Sequence, residues 1–129
     1  MYTFPQLQLT QGYQTDTANN GQEAVDKVLY HEPCLFDLVL MDLRMPVMDG
    51  ITATRKIREV PYLRDLPIIA VSAEVGDEIK DIVTNAGCNC FLEKPVQSAI
   101  LSISLNKYLK RCSVKRTKSG NELVTIPIF

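Results

Sequence analysis

Three short apolar runs in the sequence each stop on a polar side chain of a different kind. "DLVLMD" ends on the carboxylate of Asp42, "PIIAVS" on the hydroxyl of Ser72 and "CFLEK" on the ammonium of Lys94. Runs this short and this apolar read as buried parallel strands. In an open parallel sheet, the loops beyond the carboxyl ends of the strands gather side chains into one crevice. An acid, an alcohol and an amine collected there suit phosphoryl chemistry. The carboxylate attacks phosphorus to form an acyl phosphate, and a donor and a cation hold the added charge. Taken singly, each residue has a plainer reading: a helix cap for Asp42, a satisfied core hydroxyl for Ser72, a surface cation for Lys94. Their joint occurrence at equivalent strand ends favours the site.

Such a crevice needs alternating strands and helices, and the sequence supplies them in order. "YQTDTA" alternates like a short strand. In "ANNGQEAVDKVLY", Ala24, Val25, Val28 and Leu29 fall on one helical face behind an Asn20/Glu23 capping box, which predicts a helix from about Gly21 to Tyr30. Phe36 to Met41 follows as a strand, "GITATRKIREV" as a helix after Asp49-Gly50, and "LPIIAVSA" as a second buried strand. "GDEIKDIVTNAG" carries Ile79, Ile82, Val83 and Ala86 at helical spacing, with Asp77 in its first turn and Gly87 ending it. "CNCFLEKP" is a short strand, and Val96 to Leu109 a last helix with apolar Ile100, Leu101, Ile103, Leu105 and Tyr108. The expected fold class is α/β: a three-layer parallel sheet with helices on both faces.

"DLVLMDLRMPVMDGITATRKIR", "PIIAVSA", "FLEKP" and "GYQTDTANNGQEAV" together resemble the receiver domains of response regulators and hybrid sensor kinases in two-component signalling. The resemblance runs from about Leu7 to Leu109 and is specific, because four separate motifs stand in the family's order and spacing. It implies a flavodoxin-like fold and a phosphorelay module rather than an enzyme. Asp42 would be the phosphoacceptor, taking a phosphoryl group from the phosphohistidine of a histidine kinase or phosphotransfer protein. Ser72 and Lys94 would bind that group, and Phe91 would be the aromatic switch residue that turns inward when the hydroxyl moves. Asp42 and the backbone carbonyl of Arg44 would be metal ligands for Mg2+. Met45 and Pro46 would shape the turn over the site, Gly50 would start the next helix, and Lys94-Pro95 is a candidate cis peptide.

The family also begins with a strand that ends in an acidic pair, and that pair holds the cation. No such strand is visible before Asp42, since "FPQLQLTQG" looks like the tail of a first helix, Asp16 belongs to the second strand, and Glu93 should point away from the crevice. The expected organisation is therefore a receiver domain over 1–112, N-terminally incomplete with its first central strand missing, and a basic, then apolar, tail over 113–129. The favoured explanation is a lost N-terminal strand. The others are that "YTF" or "LVTIPIF" fills the vacant place, or that two copies pair or exchange strands. Pro5 and Pro127 weigh against the filling segments, because proline removes a ladder donor. Without the acidic pair, Mg2+ binding is expected to be weak, and a phosphorylation-incompetent protein-binding module is the alternative function. A haloacid-dehalogenase-type phosphatase also uses a strand-end Asp, but wants a second one two residues on, where Arg44 stands.

Bulk properties bound the rest. A chain of 129 residues, 46% hydrophobic and 22% charged, can bury one core and is short for two domains. Its formal net charge of -1 gives no global attraction to nucleic acid or anionic membrane. Between Lys107 and Lys118 there are six basic residues and no acid, a local feature that reads first as a solvated tail. No stretch approaches the roughly 18 apolar residues of a membrane span, and the N-terminus lacks signal-peptide character, so a cytoplasmic address is expected. Cys34, Cys88, Cys90 and Cys112 lack zinc-ligand spacing, and His31 is the single histidine; all four are expected to be reduced thiols.

Overall fold

The computed structural model describes residues 14–15, 18–29, 36–44, 47–94, 96–113 and 124–125. In chain order the elements are β1 (Gln14–Thr15), α1 (Gly21–Leu29), β2 (Val39–Asp42), α2 (Gly50–Arg58), a short 3-10 turn (Pro61–Leu63), β3 (Ile68–Ser72), α3 (Asp77–Ala86), β4 (Cys90–Glu93), α4 (Ser98–Ser113) and β5 (Val124–Thr125). Asp16, the 4–12 segment, Tyr30, His31, Cys34, Met45, Pro46, Pro95 and Pro127 lie outside the described residues.

Local chemistry sets the helix ends. At α1, the Asn20 Oδ1 accepts the Glu23 N–H at 2.8 Å, and Glu23 Oε1 accepts the Asn19 N–H at 3.1 Å. This is a capping box with its return bond displaced by one residue. Asp49 caps α2 by accepting the Thr52 N–H at 2.8 Å. Gly87 ends α3 in the left-handed region at φ 115°, and the Gly87 and Cys88 N–H groups both bond the Val83 carbonyl. Glycine suits that backbone because a Cβ there is sterically penalised.

Strands β2, β3 and β4 form a three-stranded parallel sheet in that order. Met41 lies opposite Ala70 and Asp42 opposite Val71, while Ala70 lies opposite Phe91 and Ser72 opposite Glu93. The first strand begins later than the apolar run suggested, at Val39 rather than Phe36. Its first ladder bond runs from the Val39 N–H to the Pro67 carbonyl at 2.9 Å, and Pro67 has no N–H with which to extend the ladder. Separately, β1 pairs in parallel with β5, Gln14 opposite Val124 and Thr15 opposite Thr125. The C-terminal segment thus returns to the sheet region, coming within 8 Å of β2, Cα to Cα.

Alternation along the strands divides the core. On one face Val39, Met41 and Ile68 pack with Ala24, Val25 and Val28 of α1 and Ala53 and Ile57 of α2. Ala70, with Val83 of α3 and Leu43, continues that face. On the other, Leu38, Leu40, Ile69, Val71 and Leu92 pack with Leu101, Leu105 and Tyr108 of α4. Helices therefore cover both faces, as expected. The apolar stripe of α4 is narrower than its composition, because Ile100 and Ile103 are 46% and 68% exposed. A helix lying on one sheet buries a stripe of about 100°; positions 101, 105 and 108 fall within it, 100 lies at its edge and 103 on the opposite side of the helix. Ile82 of α3 is exposed for the same reason.

Candidate functional site

Asp42 closes β2 with only 4% of its surface exposed. Lys94 follows β4, and its Nζ donates to Asp42 Oδ2 at 2.6 Å. The other carboxylate oxygen, Oδ1, accepts the Arg44 N–H at 3.0 Å. A carboxylate this deep is tolerable because both oxygens meet donors, one of them charged. The two side chains reach each other across the intervening β3 from the same end of the sheet.

Ser72 stands at the end of β3, 1% exposed. Its Oγ accepts the Glu74 N–H at 3.0 Å, a bond that does not use the hydroxyl's own hydrogen. Its carbonyl accepts the Lys94 N–H at 2.8 Å, which extends the β3–β4 ladder one step and fixes where Lys94 leaves the sheet. Phe91 is half-buried against the cluster of Leu43, Ala70 and Val83.

The loop after Asp42 is held from two sides. The Gly50 N–H donates to the Leu43 carbonyl at 3.2 Å, and the Gly21 N–H to the Met48 carbonyl at 3.0 Å. A Cβ on Gly50 would overlap the Asp42 carbonyl oxygen, and one on Gly21 the Met48 carbonyl oxygen. Both glycines therefore let a helix N-terminus approach the backbone beside the site. Val47 takes φ 68°, uncommon for a β-branched residue, and is 83% exposed. Arg44 Nη2 and Glu74 Oε2 pair at 2.5 Å above the crevice, both solvent-exposed.

The sequence reading did not anticipate the Arg44–Glu74 pair, nor the close approach at Gly50. It also missed a network at the opposite end of the sheet. There Arg58 donates from Nε to the Gly87 carbonyl at 2.9 Å, from Nη1 to the Leu63 carbonyl at 2.7 Å, and from Nη2 to Asn89 Oδ1 at 2.9 Å. Asn89 Oδ1 also accepts the Ile68 N–H at 2.8 Å, and Tyr108 donates to the Asn89 carbonyl at 2.8 Å. Burial holds the Arg58 guanidinium below its ordinary value, opposed by charge interactions with Cys88 and Asp65. Cys88 and Cys90 are free thiols near this end.

Among the described residues, no group of three or more His, Cys, Asp or Glu could hold a metal ion. Mg2+ takes near-octahedral oxygen ligation, and the Asp42 oxygens are already engaged by an ammonium and an N–H. The described donors do not make a Mg2+ site by themselves.

Asp42, Ser72 and Lys94 thus stand at or just beyond the carboxyl ends of three adjacent parallel strands, on a sheet that helices cover on both faces. The chain belongs to the response regulator receiver domain family, whose model matches residues 4–106. It is 43% identical over 100 residues to hybrid signal transduction histidine kinase M of Dictyostelium discoideum, covering 75% of this chain and 4% of that kinase. It is 31% identical over 109 residues to the polar-differentiation response regulator DivK of Brucella anthropi, covering 84% and 86% of the two chains. Among solved structures, it resembles the receiver domain of sensor histidine kinase PA1611 from Pseudomonas aeruginosa PAO1, with a TM-score of 0.73 and 33% identity. That match covers 83% of this chain and 85% of that one, whose structure has a magnesium ion coordinated in the active site cleft. Among the described residues, no helix is long and apolar enough to cross a membrane.

Proposed function

We propose that this receiver domain takes a phosphoryl group on Asp42 from a phosphohistidine of a histidine kinase or phosphotransfer protein in the cytoplasm. The observation that carries the proposal is the 2.6 Å contact between Lys94 Nζ and Asp42 Oδ2 at the carboxyl ends of β4 and β2. An oxygen of Asp42 forms the new O–P bond as the P–N bond to the partner's imidazole breaks, and the departing imidazole nitrogen takes up a proton. Lys94 pairs with the phosphoryl oxygens, and the Ser72 hydroxyl hydrogen donates to them. Reorientation of Ser72 frees space into which Phe91 turns, altering the face formed by β4 and α4.

The metal site, built on Asp42 and the Arg44 carbonyl, is weak in this reading, because no strand ending in an acidic pair is legible ahead of Asp42 in the sequence. That feature favours a second reading, a binding module that docks a kinase or another receiver without being phosphorylated. Intact-protein mass after incubation with a small phosphodonor separates the two. One added phosphoryl group, lost in Asp42→Asn, supports phosphoacceptance. A folded protein that gains none supports the binding module, and donor turnover far beyond stoichiometry contradicts both.

A further inference from the structure

We propose that β5 is the central strand of one five-stranded parallel sheet in the order β1-β5-β2-β3-β4, so that the C-terminal segment holds the two parts of the sheet together. This concerns the fold and does not depend on whether Asp42 is phosphorylated. Val124 and Thr125 are in parallel register with Gln14 and Thr15. On its other side, β5 lies within 8 Å of β2, Cα to Cα, so it stands between β1 and β2.

Three further features agree with that placement. The first is direction. α4 starts beyond the carboxyl end of β4 and runs back to its beginning, where Tyr108 bonds the Asn89 carbonyl. A strand entering after α4 must then run the same way as the others, as the parallel pairing requires. The ten residues between α4 and β5 can span roughly 33 Å when extended, more than the roughly 15 Å that separates strands three places apart in a sheet.

The second is handedness. The connections through α2 and α3 step from β2 to β3 to β4 across one face. The connection through α4 steps back toward β2 across the other face. Reversing both direction and face preserves the right-handed crossover that parallel strands adopt in nearly all cases. The third is composition: Val and Thr are β-branched, suited to strand backbone. Pro127, which weighs against a central strand, falls after the two paired residues.

The strand brings no acid to the crevice. Its two described residues, Val124 and Thr125, carry no carboxylate.

The test uses the full chain, isotope-labelled, in two experiments. In the unmodified protein, nuclear Overhauser contacts are expected from Val124 and Thr125 to both Gln14–Thr15 and Leu40–Met41. Their absence, or their appearance only between chains in a mixed-label sample, overturns the proposal. In the Val124→Pro/Thr125→Pro double variant, which removes both ladder donors, amide protection at Leu40 and Met41 is expected to fall about tenfold or more. Unchanged protection overturns it, and the first experiment stands even where the variant does not fold.

Discussion

Lys94 Nζ lies 2.6 Å from Asp42 Oδ2, although 52 positions separate the two residues in sequence. Asp42 has 5% of its side chain exposed and Lys94 has 30%, so the pair sits between a surface bridge and a fully buried one. Lys94→Ala is expected to destabilise the fold by about 1–3 kcal/mol, because it leaves a buried carboxylate with a single backbone donor. Asp42→Asn removes the charge as well and is expected to be better tolerated. Urea denaturation of the two variants checks the order.

Gly50→Ala places a methyl group against the Asp42 carbonyl oxygen. The helix-propensity gain of about 1 kcal/mol is expected to be outweighed by backbone displacement costing about 1–3 kcal/mol. A lowered denaturation midpoint, with phosphoryl uptake reduced because the end of β2 has moved, is the expected outcome.

Ser72→Ala removes the hydroxyl that accepts the Glu74 N–H. A loss of about 0.5–1.5 kcal/mol in stability is expected. Its diagnostic effect is on the switch. Ring resonances of Phe91 are expected to shift on phosphodonor addition in the parent and to stay fixed in the variant while Asp42 is still phosphorylated.

At the other end of the sheet, Tyr108→Phe deletes the bond to the Asn89 carbonyl and is expected to cost about 1 kcal/mol. Arg58→Met deletes several bonds to backbone carbonyls at once and is expected to cost more. Neither should alter the extent of phosphorylation, because neither residue contacts the crevice. Denaturation and intact-mass measurements on the same samples separate these two effects.

Burial raises the Cys88 thiol above its ordinary range, partly offset by Thr54 and Arg58. The folded state therefore keeps its proton at pH values where the unfolded chain has released it, and stability falls as pH rises from about 8.5 toward the folded value. Thermal melts across that window should show the decline, and Cys88→Ala should flatten it.

Much of this was legible in the sequence because it depends on short-range patterns. The capping residue Asn20, the helix start after Asp49-Gly50, the stop at Gly87 and the strand-end positions of Asp42, Ser72 and Lys94 follow from periodicity and end signals. The Arg58–Asn89 bond did not, since its partners are 31 positions apart and neither side chain marks the other in sequence. The Gly50 contact was half visible: the turn signal is local, but the carbonyl it protects is defined by packing. Ile100 and Ile103 were misjudged because apolar content does not say how wide a stripe the sheet covers. The pairing of Val124 with Gln14 runs against the sequence-based preference for a lost N-terminal strand, since two-residue strands carry almost no periodicity and Pro127 weighs against a strand in that segment.

The central claim is that Asp42 is the group that receives phosphorus. Borohydride reduction of the phosphodonor-treated protein, followed by peptide mapping, reads the position directly, because an aspartyl phosphate is reduced to homoserine at the modified residue. The expected result is homoserine at position 42 alone, its yield falling in Lys94→Ala. A folded protein with no homoserine at 42, or with the mark at another carboxylate, would contradict the account.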